Sequence, residues 1–237
     1  EADMIGDITA IAEDQDGKLW YGTSDKGIIN YEGQLASRKV TCMATTSDGS
    51  LWVGSKQNGL TRIKNGATSF FSAARDSMKT LIDDHINALC TDKTGNLWIA
   101  TNGGLQVYSP KMNTFSSYTR ENGMLNTNNI TSLYYGTDNN LLIGTAEGMV
   151  ILNLSTRKKT VLTGNTTNLH SFTNNYITQV HEDTRGLIWI GTREGINILN
   201  PESDELYYVT ESDGLCINSI CGIAEDKSGS IWVTTSN

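Results

Sequence analysis

Apolar residues three apart recur down the chain as Ile8 and Ile11, Val40 and Met43, Ile86 and Leu89, Ile130 and Leu133, Ile177 and Val180, and Ile220 and Ile223. Each pair heads a predicted strand. After a polar turn comes a second apolar stretch anchored on Trp20, Trp52, Trp98, Leu142, Trp189 or Trp232, at spacings of 32, 46, 44, 47 and 43 residues. Three residues before each anchor stand Gly17, Gly49, Gly95, Asn139, Gly186 and Gly229, where a tight hairpin requires a positive φ. Six before it stand Asp14, Thr46, Asp92, Gly136, Asp183 and Asp226, and an Asp or Thr side chain there bonds turn N–H groups. A β-branched or aromatic residue, a small residue and a hydroxyl follow the anchor, as in a short strand that runs out into a bend. A third strand is entered through Gly27, Gly59, Gly104, Gly148 or Gly195 and carries Tyr31, Ile63, Tyr108, Leu152 or Leu199 four residues on. Longer units add a fourth strand, at Phe115 to Tyr118 and at Leu206 to Val209.

Four antiparallel strands per unit of roughly 44 residues predict the blade of a β-propeller, an all-β fold. The run Ile-x-x-Ile-x-x-Asp-x-x-Gly-x-Leu-Trp-Ile-Gly-Thr, followed by Gly-Leu or Gly-Ile, resembles the two-component regulator propeller repeat. Its best copies start at Ile86 and Ile177, and the fourth copy departs at Gly136, Asn139 and Leu142. The resemblance covers nearly the whole chain. It implies the periplasmic sensor region of a membrane-bound hybrid two-component system of Bacteroidetes type. It further implies an oligosaccharide ligand from polysaccharide breakdown, a homodimer in the full-length protein, no cofactor, and a kinase and DNA-binding output encoded outside these residues.

The blades are expected to start near residues 8, 40, 86, 130, 177 and 220, within one propeller segment spanning 1–237. The first is short, with little room for a fourth strand before Val40, and the sixth holds two strands. Propellers close by pairing strands from their termini. The sequence is therefore expected to be a piece of a longer protein, an arc of a seven-bladed ring. The tryptophans are expected to fill the spaces between blades.

A formal charge of −8 and a pI near 4.9 offer no basic stripe for nucleic acid. Arg157-Lys158-Lys159 reads as a solvated turn between outer strands. No stretch of about 18 apolar residues is present to span a membrane. Cys42, Cys90, Cys216 and Cys221 show no CxxC spacing and read as small buried hydrophobes, with a local Cys216–Cys221 disulfide as the alternative.

Strand order puts the blade-linking loops and the second-to-third strand loops on one face and the Asp-x-x-Gly turns on the other. The turn face is uniform, as a scaffold is, and the linking face is variable, as a recognition face is. Ligand contacts are expected there, from Asn102, Glu147, His170, Asn175, Tyr176 and Arg193. Around them lie Asp25, Lys26, Lys56, Gln57, Asn58, Asn126, Asn128, Asn174 and Glu194. These are ordinary loop residues too, so the expectation rests on the face rather than on any one side chain. His85, His170 and His181 have no metal-like spacing, and His181 reads as a satisfied wall residue in a first strand. The Asp column recurs once per blade, which spreads its carboxylates apart and suits turns rather than a paired-carboxylate site. No catalytic or metal residue is expected. Two rivals remain: an enzyme of streptogramin-lyase type, which shares the Asp-x-x-Gly-x-x-Trp element, and a protein-interaction scaffold.

Overall fold

A computed structural model describes residues 6–30, 39–73, 81–164 and 171–236, and the backbone of 33–35. The strands fall into five antiparallel four-stranded sheets and one two-stranded sheet. The first blade holds β1 (Ile8–Glu13), β2 (Leu19–Thr23), β3 (Ile28–Asn30) and β4 (Gly33–Leu35), and the second β5 (Val40–Thr45), β6 (Leu51–Ser55), β7 (Leu60–Lys64) and β8 (Ala67–Phe71). In the third are β9 (Ile86–Thr91), β10 (Leu97–Thr101), β11 (Gly104–Ser109) and β12 (Thr114–Tyr118). The fourth comprises β13 (Ile130–Tyr135), β14 (Asn140–Thr145), β15 (Gly148–Asn153) and β16 (Lys159–Leu162). β17 (Ile177–Glu182), β18 (Ile188–Thr192), β19 (Gly195–Asn200) and β20 (Glu205–Val209) form the fifth, and β21 (Ile220–Glu225) with β22 (Ile231–Thr235) the sixth. The residues group into two compact units, Glu1–Asn128 and Asn129–Asn237.

All six first strands begin at the apolar residue that heads each pair. The turn column also holds: Gly17, Gly49, Gly95, Asn139, Gly186 and Gly229 all have φ between 63° and 83°. The first blade differs from expectation. Its fourth strand, Gly33–Leu35, exists and pairs with β3 through Ile28–Leu35 and Asn30–Gly33.

Within each unit, the cores lie between successive blades. Trp20 and Ile28 of the first blade pack with Val40, Leu51 and Val53 of the second. Trp52, Leu60 and Leu81 pack with Ile86, Leu97, Ile99 and Tyr108 of the third. In the second unit Leu142, Met149 and Phe172 meet Ile177, Val180, Ile188, Ile190 and Leu199. This explains the small residue after each anchor. A Cβ on Gly54 would stand 2.6 Å from Ile86 Cγ2, and one on Gly191 2.7 Å from Ile220 Cγ2. Side-chain-free backbone on the second strand lets the next blade's first strand approach. Trp232 stands on β22, the last described strand, and is 65% exposed.

Candidate functional site

Each Asp-x-x-Gly turn is built around one carboxylate. Asp92 Oδ1 accepts the N–H groups of Thr94 (2.9 Å) and Asn96 (3.1 Å), while its Oδ2 accepts the Trp98 indole N–H at 3.0 Å. The same indole bond runs to Asp14 at 2.7 Å, Asp183 at 2.9 Å and Asp226 at 2.8 Å, with Thr46 Oγ1 as acceptor for Trp52 at 3.1 Å. The Asp and Trp columns thus form one unit: their six-residue spacing stands in the sequence, and the bond between them is added by the structure. Burial alone would raise the Asp183 carboxyl, but the Trp189 N–H and the Arg185 guanidinium hold it below the ordinary value. At the fourth blade Gly136 supplies no carboxylate. Glu182 from the fifth blade bonds the next residue, its Oε2 accepting the Thr137 N–H at 3.1 Å and its Oε1 the Thr137 hydroxyl, as Glu225 of the sixth blade does for Thr184.

At the other end of the strands, hydroxyls fix the short loops. Thr101, Thr145 and Thr192 donate to the carbonyls of Gly104, Gly148 and Gly195 at 2.7–2.9 Å. Their oxygens accept the N–H groups of Gly103, Glu147 and Glu194 at 3.0–3.1 Å. The loop side chains are thereby turned outward, and Asn102, Glu147, Arg193 and Glu194 are exposed.

The structure brings together two of the six expected contact residues. The Arg193 guanidinium carbon lies 3.7 Å from the Tyr176 ring centroid, a cation–π contact made by an exposed side chain. Asn175 has a different task. Its Oδ1 accepts the Gly164 N–H at 2.5 Å and its carbonyl accepts the Gly148 N–H at 2.8 Å. Asp84, Asn128 and Asn218 hold the same place, two before the first-strand apolar residue, and accept the N–H groups of Ala73, Arg120 and Glu211 at 2.7–2.8 Å. This Asn/Asp column clamps each linking loop. It was readable in the spacing and was missed as a set. Asn102 accepts from the Asn87 amide at 2.9 Å, Glu147 stands alone at its loop tip, and His170 lies outside the described residues.

Other expectations need correction. His181 packs edge-on to Tyr134 at 4.8 Å, but among the described residues its buried Nε2 has no hydrogen-bond partner, so it is not a satisfied wall residue. Burial lowers its pKa against the opposing pull of Glu225, Asp183 and Glu182. All four cysteines are free thiols. Cys216 and Cys221 are exposed rather than buried, whereas desolvation pushes Cys42 up to about 12.

The turn face is not uniform. Between the fourth and fifth blades it carries a cleft of about 460 Å³, bordered by Thr137, Lys158, Glu182, Arg185, Asn200 and Glu202 over a floor of Leu142, Ile151 and Ile188. At the equivalent place between the second and third blades, Ser47, Asp48, Thr94 and Pro110 border a cleft of about 340 Å³ that has no such aliphatic floor. Among the described residues no group of three or more His, Cys, Asp or Glu could hold a metal ion, and no helix is long and apolar enough to cross a membrane.

With strands, turns and loop ends in place, the comparison with known families is direct. The model of the two component regulator propeller matches residues 5–25, 34–57, 80–103, 171–194 and 214–237. The chain is built of two-component regulator propeller repeats. The matches pass over the fourth repeat, where Gly136, Asn139 and Leu142 depart from the pattern. Among solved structures, these repeats are similar to the extracellular domains of two Bacteroides thetaiotaomicron proteins described as hybrid two component systems. To BT3049 the identity is 20% and the TM-score 0.60, over 95% of this chain and 37% of the other. To BT4673 they are 18% and 0.64, over 95% and 40%. The chain thus spans about two fifths of the length of these structures. Virginiamycin B lyase from Staphylococcus aureus is similar at 14% identity and TM-score 0.71, over 96% of this chain and 77% of the lyase. At such identities the likeness is one of fold. No curated protein matches the chain.

Proposed function

We propose that this propeller is the periplasmic ligand-sensing region of a membrane-bound two-component regulator, and that its ligand is an oligosaccharide released from a polysaccharide. The observation that carries the reading is the five-fold match to the two-component regulator repeat. The likeness to ectodomains described as belonging to hybrid two-component systems supports it. The segment itself is non-catalytic, and the kinase and regulator functions belong to other parts of the full-length protein. On the linking face of the second unit, the Arg193 guanidinium held on Tyr176 donates to sugar hydroxyls, with Glu147 exposed on the corresponding loop of the fourth blade. Binding favours one arrangement of paired ectodomains over another, a population shift that needs only a difference in affinity between the two.

The test is calorimetric titration of the purified chain with a panel of short plant and host oligosaccharides. One of them is expected to bind, and Arg193→Ala is expected to weaken that binding about tenfold, a change of ~1.4 kcal/mol. Absence of binding across the panel removes the oligosaccharide reading. Turnover of a streptogramin by the chain would remove the non-catalytic one.

A further inference from the structure

The fourth blade breaks the repeat in three columns at once, and the cleft beside it differs from its equivalent between the second and third blades. In the second blade the anchor Trp52 projects towards the third, its ring 5.0 Å from that of Tyr108. The same direction from Leu142 leads to Ile188 and Leu199 of the fifth blade. An isobutyl group is shorter than an indole. The space left over the floor is the difference between a cleft that reaches Leu142, Ile151 and Ile188 and one whose lining holds no aliphatic side chain of a first or second strand. A size of about 460 Å³ lies in the range of small-ligand sites.

The rim is chemically ready for a ligand. Glu182 is fixed by Thr137, and the Arg185 guanidinium is held on Asp183 Oδ2 at 2.6 and 3.1 Å. Among the described residues, the Lys158 ammonium, the Thr160 hydroxyl and the Glu202 carboxylate make no hydrogen bond to the protein, so their donors and acceptors are open to a guest. Three carboxylates, Asp138, Glu182 and Glu202, border the cleft against two cations, Lys158 and Arg185. That balance does not select an anion. Alternating donors and acceptors above an aliphatic floor suit a molecule with many hydroxyls and one C–H-rich face.

We propose that this cleft is a binding site for a neutral saccharide segment, created by the replacement of the anchor tryptophan with Leu142. It takes its ligand class from the proposed function, and it stands at the opposite end of the fifth-blade strands from Tyr176 and Arg193. The cleft thus adds a second contact region rather than relocating the first.

The experiment is methyl-detected NMR titration of the full chain with neutral oligosaccharides, namely short gluco-, xylo-, manno- and arabino-oligosaccharides, alongside three variants. Leu142→Trp restores the anchor of the repeat and fills the space over the floor. Lys158→Ala and Glu202→Ala alter exposed side chains and keep the test open should the core variant fail to fold. A binding sugar is expected to shift the Leu142, Ile151 and Ile188 methyls. Leu142→Trp, or the rim variants if that protein is unfolded, is expected to weaken those shifts at least about tenfold. Arg193→Ala is expected to leave them in place. Sugar binding that leaves the floor methyls unmoved and the variants unaffected overturns the cleft while the sensor reading stands. If no neutral sugar binds the wild-type chain, the cleft proposal fails, and acidic oligosaccharides then decide the broader reading.

Discussion

The residue that organises each blade is the turn aspartate, which closes its own turn and holds the anchor indole. Asp92 and Asp183 are 8% and 3% exposed, so removing either carboxylate leaves buried N–H donors without acceptors. Asp92→Ala is expected to cost about 1.5–3 kcal/mol in urea denaturation, the range for hydrogen bonds to a charged group. Asp226→Ala is expected to cost less, because Trp232 is exposed and loses little packing. For Asp92, burial would raise the pKa, but hydrogen bonds from Thr94, Trp98 and Asn96 outweigh it and the carboxyl sits below its ordinary value. A carboxyl with a lower pKa folded than unfolded binds fewer protons in the native state. Its stabilisation is therefore complete above the unfolded pKa of about 4 and is lost as pH falls through the folded value. The urea midpoint is expected to drop on the acid side of about pH 4, and to drop less steeply in Asp92→Asn. The turn role of this column was legible because Asp and Gly keep a fixed spacing. The indole bond was not, because spacing alone does not say where a side chain points.

At the scale of the strand, periodicity located every first strand, since the residue that heads it is apolar in every blade and buried in all but the first. β4 was missed because its Gly33-Gln34-Leu35 core has neither alternation nor an aromatic residue. The small column was read as a bend, yet its function is close approach between blades. Gly54→Ala places a methyl group 2.6 Å from both Cys42 Sγ and Ile86 Cγ2. Overpacking of that kind is expected to cost about 1–3 kcal/mol in thermal or urea melts. Gly66 has a positive φ of 74° but open space around it. Gly66→Ala is expected to cost only the backbone term, roughly 1 kcal/mol. Equal losses in the two variants would show that the inter-blade contact at Gly54 relaxes freely.

At the scale of the whole molecule, the repeat made the fold readable and concealed the site. A column that recurs in every blade reads as scaffold, so the turn face looked uniform, and the departure at Leu142 looked like a weakened blade. The same substitution deepens the cleft, which becomes visible only when the next blade's Ile188 and Glu182 are brought alongside it. The formal charge of −8 then bears on what enters. An acidic protein repels polyanions at long range, and added salt screens that repulsion, the Debye length falling from about 30 Å at 0.01 M to 3 Å at 1 M. A neutral oligosaccharide has no charge to screen, so its dissociation constant is expected to hold across that range of ionic strength. A heavily sulfated chain is expected to bind weakly at low salt and no better than the neutral sugar at high salt. Should an acidic oligosaccharide instead bind tightest at low salt and weaken as salt rises, Lys158 and Arg185 would be outweighing the three carboxylates around them, and the ligand class would have to be redrawn as anionic.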